Sequence, residues 1–198
     1  MPIFLRARQF AGLGLVASLC ACASVNPMAM AKLAALDPLS ADAAQISAAA
    51  RLPQSLKLRN GDLVLSIKID SKDSGTRLDE RFLLDVRDGK PGDAGTISTL
   101  PGERLQLAKV AEVDLPRLSA VQTKAKAHKA KAQHKGEGSL SISIEGGCKT
   151  AEPSTGASPI SIYLSTEAES GYYPVISNMD LRKQFGNDLI AKIEPCSS

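Results

Sequence analysis

The chain has 198 residues, 43% of them hydrophobic, which is enough for one packed domain behind a leader. Its formal net charge is +3, and Arg6 and Arg8 lie in the leader, so the remainder carries +1; this near-neutral balance excludes a polyanion binder over the whole surface. Trp is absent and aromatics are 4%, which points away from an aromatic-lined sugar or nucleotide cleft.

Residues 1–22 divide into a short start with Arg6 and Arg8, an apolar run over 10–19, and the small-residue segment Cys20-Ala21-Cys22. This is the layout of a secretory signal peptide. The apolar run is about half of the ~20 residues that a bilayer-spanning helix needs, and no later stretch is apolar enough to span. Leu19-Cys20-Ala21-Cys22 resembles the lipobox of bacterial lipoproteins, in which a Leu and two small residues precede the Cys. The resemblance covers the leader alone. It implies that Cys22 is acylated and becomes the new N-terminus, with Cys20 as the alternative, and that the chain is held by lipid. Ala23 after Cys22, in place of Asp, implies by the same resemblance an outer-membrane location facing the periplasm. Ala21-Cys22-Ala23 and Ala29-Met30-Ala31 also fit ordinary signal peptidase, whose product would be a soluble periplasmic protein.

Four Cys are present. Cys20 leaves with the leader and Cys22 carries lipid on this reading. Cys148 and Cys196 remain on the oxidising side of the membrane, where a disulfide between them is expected.

Residues 1–21 are thus read as signal peptide and 22–44 as a flexible tether. The tether is rich in Ala, Ser, Pro and Met, with a short helix allowed at 30–36. As a coil it would span roughly 25 Å. From 45 to 198 the pattern is that of a folded domain. Ile46, Ala48, Ala50 and Leu52 alternate with small or polar residues; Leu56 and Leu58 form a short run; Asn60-Gly61 supplies turn chemistry. Over 62–70, Leu63, Leu65, Ile67 and Ile69 share a face. Over 77–87, Phe82, Leu84 and Val86 oppose a charged face carrying Arg77, Asp79, Arg81, Asp85 and Arg87. Leu105, Leu107, Ala111 and Val113 again share one face. Leu140, Ile142 and Ile144 alternate with serines, Ile160, Ile162 and Leu164 repeat the pattern, and 173–176 and 189–193 are expected to be the last strands, the former at an edge because of Pro174. These one-sided alternations predict a mainly β fold, a two-layer antiparallel β-sandwich of immunoglobulin-like type.

One segment departs from period two. Residues 114–135 lack Gly, place Leu115, Leu118, Val121 and Ala125 at helical spacing, and stop at Gly136, which predicts one inserted helix around 115–135. Its first half has apolar residues to pack; its second half offers only Ala and is expected to project.

That helix holds Arg117 and the lysines Lys124, Lys126, Lys129, Lys131 and Lys135, with no acid between Asp114 and Glu137. The cluster is a candidate anion-binding arm for acidic lipid headgroups or an acidic envelope protein; a solvated Lys/Ala helix is the bland alternative. Nucleic acid is not expected, since no aromatics interleave with the lysines. His128 and His134 stand six apart, which is wrong for two ligands on one helical face, so no metal site and no cofactor are assigned. No nucleophile elbow, phosphate loop or dinucleotide fingerprint occurs, and no catalytic residue is named. Asp79, Glu80 and Asp85 sit beside Arg77 and Arg81 and read as ion pairs before they read as acid–base groups. The expectation is therefore a non-catalytic envelope lipoprotein that binds another envelope component or assists an assembly. The alternative is a soluble periplasmic domain taking a small ligand or a peptide strand at a sheet edge, and an enzyme ranks third.

Overall fold

A computed structural model describes residues 39–70, 77–90, 92–131, 137–167 and 171–197. The leader with Cys20 and Cys22, the helix allowed at 30–36, His134 and Lys135 lie outside the described residues. In chain order the strands are β1 (Ser47–Pro53), β2 (Leu56–Lys57), β3 (Leu63–Asp70), β4 (Arg77–Asp88), β5 (Glu103–Val110), β6 (Glu137–Ile144), β7 (Cys148–Lys149), β8 (Pro159–Ser165) and β9 (Tyr173–Asp180). Helix α1 (Leu115–Lys131) follows β5, and two short helices, α2 (Leu181–Phe185) and α3 (Asn187–Ala191), follow β9.

The fold is mainly β and antiparallel with one long inserted helix. Seven strands make one sheet in the order β6-β3-β4-β5-β1-β8-β9, and β2 pairs with β7 in a separate ribbon. Hydrogen bonding thus places the strands in a single sheet, curled like half a barrel, where the sequence reading expects two. The corner of the curl is β4. Its first seven residues pair with β3, from Asp70↔Arg77 to Val64↔Leu83. Its last five pair with β5, from Leu84↔Val110 to Asp88↔Gln106. A strand that changes partners at Leu83 and Leu84 turns the sheet while keeping one continuous ladder, as corner strands do in orthogonal packings.

The concave face holds the core. Leu63, Leu65, Phe82, Ala108, Ile162 and Leu164 are buried in one cluster with Leu118 and Val121 of α1, which lies across the concavity. Each such Leu, Ile or Phe gains about 1.5–3 kcal/mol by leaving water. The central β1 is buried on both faces: Ala48, Ala49 and Ala50 are 0%, 0% and 1% exposed. Alanine is a strong helix former, yet here it is the residue small enough for a strand between β5 and β8 with cover on each side.

That outer cover corrects the reading of β5. Residues 89–102 fold back over the convex face, burying Ala94 against Ala49 and Leu107, with Leu105 and Ile97 beside them. Leu105 and Leu107 therefore point away from the main core, whose β5 contribution is Gln106, Ala108 and Val110. Ala111 and Val113 do not share their face; Val113 leaves the sheet in a 3-10 turn and is 85% exposed. A strand with apolar residues on both sides gives no polar face to set its phase.

A second correction concerns 189–193, which begins in helix α3 and is not a strand. Asp180 caps α2, and Gly186 at φ +80° ends it, so the chain turns away from the sheet before that apolar run begins. Ile190 is then buried, and Ile193, three residues on, packs partly buried against the core. Pro174 does lie in an edge strand, β9. No helix among the described residues is long and apolar enough to cross a membrane.

Candidate functional site

The chain enters the domain beside α1. Asp42 accepts a hydrogen bond from Ala44 N (3.0 Å) and so caps a 3-10 turn over Ala43–Gln45. Ala43 is buried, and Gln122 of α1 donates from Nε2 to Ala41 O at 3.0 Å. Residues 41–44, read from sequence as the end of a tether, are thus packed on the domain. Between this segment and α1 runs an open groove of about 310 Å³, lined by Leu39, Asp42, Leu115, Ser119, Thr123 and Lys126.

Helix α1 packs further along its length than its Ala content suggests. Leu118, Val121 and Ala125 are 0%, 3% and 1% exposed, and His128, one turn on, is half-buried with Nε2 closed off from solvent. Small Ala125 lets the helix lie close to the sheet, so the packed stripe continues as far as His128, into the half expected to project. His128 is on the inward stripe, in place of the exposed setting the sequence suggested.

The basic cluster divides in two. Arg117 is committed to the fold: its Nε donates to Asp114 (3.1 Å), its Nη1 to Glu80 (2.8 Å), its Nη2 to Arg81 O (2.9 Å), and its guanidinium stacks 4.0 Å from the Phe82 ring centre. The hydrogen bond that Arg117 donates to Asp114, with smaller help from Glu80, raises its pKa above the ordinary arginine value. Lys124 and Lys126 are exposed and make no ion pair among the described residues. Lys129 and Lys131 occupy the same helix, and Lys135 lies outside the described residues.

Of the three β4 carboxylates singled out in the sequence, Asp79 makes the cross-strand ion pair expected of it and Glu80 pairs with the helix. Asp79 meets Lys68 across the β3–β4 ladder at 3.1 Å, and Glu80 meets Arg117. Arg81 pairs with Glu145.

A polar cluster on the convex face carries no local sequence signal. Arg51 of β1 donates from Nη2 to Asn178 Oδ1 (2.9 Å) and Ser161 Oγ (3.4 Å), from Nη1 to Ser98 O (3.4 Å), and its Nε lies 3.5 Å from Glu103. Asn178 N donates to Ser161 Oγ at 3.0 Å. Asn178 has φ +49°, beside register shifts in the β8–β9 pairing near Ile160 and Ile162. The cluster bonds to itself and holds no base beside its serine, so it serves to lock β9 onto β8 and β1. Its members are drawn together only by the sheet. Tyr172 also packs on this side, with its hydroxyl 3.1 Å from Ser47 Oγ.

The opposite end of β1 is closed by the disulfide Cys148–Cys196, with a Cα–Cα distance of 4.9 Å. The β2–β7 ribbon and the Cys196 N to Lys149 O bond (2.9 Å) hold the C-terminal segment there. An apolar cavity of about 60 Å³ lies beneath, lined by Leu52, Leu56, Leu58, Ile160, Leu181 and Ile193 among others. Ligand pockets run to about 300–1,000 Å³, and this cavity falls below that range. Among the described residues no group of three His, Cys, Asp or Glu is placed to hold a metal ion. Comparison with protein-family models, curated proteins and solved structures returned no match.

Proposed function

We propose that this chain is an exported, lipid-anchored protein of a bacterial cell envelope, acylated at Cys22, whose β domain binds another envelope component without catalysis. The observation that carries the reading is the Cys148–Cys196 disulfide, buried at Cys148 (1% exposed) and tying the chain end to the ribbon. Such a bond belongs to an oxidising compartment, and the leader supplies the route to one. The small apolar cavity, the paired carboxylates and the self-satisfied Arg51 cluster support binding over catalysis. The curled sheet, whose two halves turn on one core, is on this reading an opened form of the two-layer sandwich.

Intact mass of the protein taken from the membrane fraction tests the proposal. The expected species begins at Cys22 and carries acyl chains, and Cys22→Ser releases the domain or leaves it unprocessed. An unmodified N-terminus at Ser24 or Lys32 would overturn the anchor and leave a soluble periplasmic protein. For that second reading the favourable observation is the open ladder of β6, which among the described strands pairs only with β3 and could take a peptide strand.

A further inference from the structure

The sequence holds its two membrane-related features, the leader and the basic helix, some hundred residues apart. The fold places the first described residues, which follow the leader and tether, on that helix. The chain enters the domain at residues 39–45, directly on α1, and Lys126 lines the same groove as Leu39 and Asp42. We propose that α1 is a membrane-facing surface, on which Lys124 and Lys126 bind the phosphates of anionic lipid headgroups in the bilayer that anchors the chain. This rests on the lipid-anchor reading and adds an orientation to it: the start of β1 faces the bilayer and the disulfide end faces away.

Three observations support the assignment. Lys124 and Lys126 are exposed and free of ion pairs among the described residues, whereas Arg117 is held by Asp114 and Glu80. The helix itself has no acid; of the acids beside it, Glu80 and Asp114 are both taken up by Arg117, which leaves Asp42 in the groove and Glu112 in the preceding turn. The outward residues Pro116, Ala120, Thr123 and Ala127 are small, neutral and exposed, so no bulky side chain holds the lysines off a flat surface.

Distance makes the placement matter. Charge attraction fades over about 8 Å at physiological salt, so a lysine acts on a headgroup only where it is held close to the surface. Lysines at the far end of β1 would rarely fall within range. Those beside the point where the chain enters do so in any pose that brings that end down, and tethering keeps the local lipid concentration near the mM scale. Each lysine at an anionic surface strengthens binding about fivefold, so Lys124 and Lys126 together supply about 25-fold.

The test uses the full-length lipidated protein reconstituted in phosphatidylcholine vesicles with and without phosphatidylglycerol, labelled with a membrane-impermeant amine reagent. Lys124 and Lys126 are expected to be protected with phosphatidylglycerol, and to label freely without it or at high salt. Lys183 and Lys192, on the segment at the disulfide end, are the internal controls and should label equally in all cases. Co-sedimentation of the unacylated full chain (Cys20→Ser with Cys22→Ser) on phosphatidylglycerol vesicles should fall about 25-fold with Lys124→Gln and Lys126→Gln. Both positions are exposed, so these replacements leave folding intact. Equal labelling of the two lysines on both vesicles, or protection that ignores lipid charge and salt, would overturn the helix assignment even when the mass shows acylation. An unacylated native chain that still needs Lys124 and Lys126 to sediment would overturn the anchor alone.

Discussion

The side-chain amide of Gln106 pairs with the backbone of Leu58 on both sides: Leu58 N donates to Oε1 at 2.7 Å, and Nε2 donates to Leu58 O at 3.2 Å. Nε2 also reaches Asp88 Oδ1 at 3.1 Å. Gln106 is 1% exposed and faces the core, where it stands in for a strand neighbour that Leu58 lacks. Gln106→Leu keeps the volume and strands a buried N–H and C=O, each costing about 1–3 kcal/mol. A loss of about 2–4 kcal/mol is expected in urea unfolding. Gln106→Glu should be at least as damaging, because it cannot donate to Leu58 O and brings a second carboxylate to Asp88. A midpoint unchanged in Gln106→Leu would refute this role.

Gly146 is required for a contact. A Cβ there would overlap the Asp62 carboxylate, which is 8% exposed and accepts from Arg59 N (2.7 Å) and Arg59 Nε (3.1 Å). Gly146→Ala must displace Asp62 and open the turn that starts β3. The expected cost is about 1–3 kcal/mol, read as a fall in thermal midpoint. Gly156→Ala, in open surroundings, is the matched control and should be neutral to within about 0.5 kcal/mol.

The disulfide spans 48 residues. In the chain-entropy model a loop of that length contributes about 4 kcal/mol. Cys148→Ser with Cys196→Ser, or reduction of the wild type, should lower stability towards that figure. Lys149 amide protection should fall as well, because Cys196 N bonds Lys149 O and Lys149 N bonds Glu194 O. Equal urea midpoints with and without reductant would show that the bond contributes nothing.

Asp180 joins the start of β8 to α2: Oδ1 accepts from Ser158 N (3.2 Å) and Arg182 N (3.0 Å). The Ser158 bond, more than any other interaction, holds its carboxyl below the usual range. A carboxyl depressed on folding contributes stability above its unfolded value, near 3.9. That contribution disappears as pH falls through the lower folded value. Asp180→Asn should therefore be less stable than wild type above about pH 5, and the difference should close in acid. A gap that stays constant down to the acid limit would exclude the linkage.

Much of the architecture could be read from residue order. Period-two alternation marked β3, β4, β6 and β8 with their inward residues, because the second face of each is largely polar, whether exposed as in β4 or buried as at Ser161 and Ser165 of β8. Leu118, Val121 and Ala125 marked the buried stripe of α1 by their spacing. Cysteine use and compartment pointed to Cys148 with Cys196, which the fold places in one bond.

Tertiary structure alone decided what covers each face. Alternation is a local property: it says which residues share a side and is silent about what lies on that side. Hence β4 can be read as one strand, but not its change of partner at Leu83 and Leu84; β5, buried on both sides, has no polar face to show where its shared face ends, and Val113 leaves it; and the apolar run after Gly186 begins in helix instead of strand. The Arg51 cluster, the Gln106 clamp and the meeting of the chain's point of entrance with α1 join residues tens of positions apart. Their physical cause is the curl of one sheet, which brings distant positions of the chain together and leaves no trace in any short window of it.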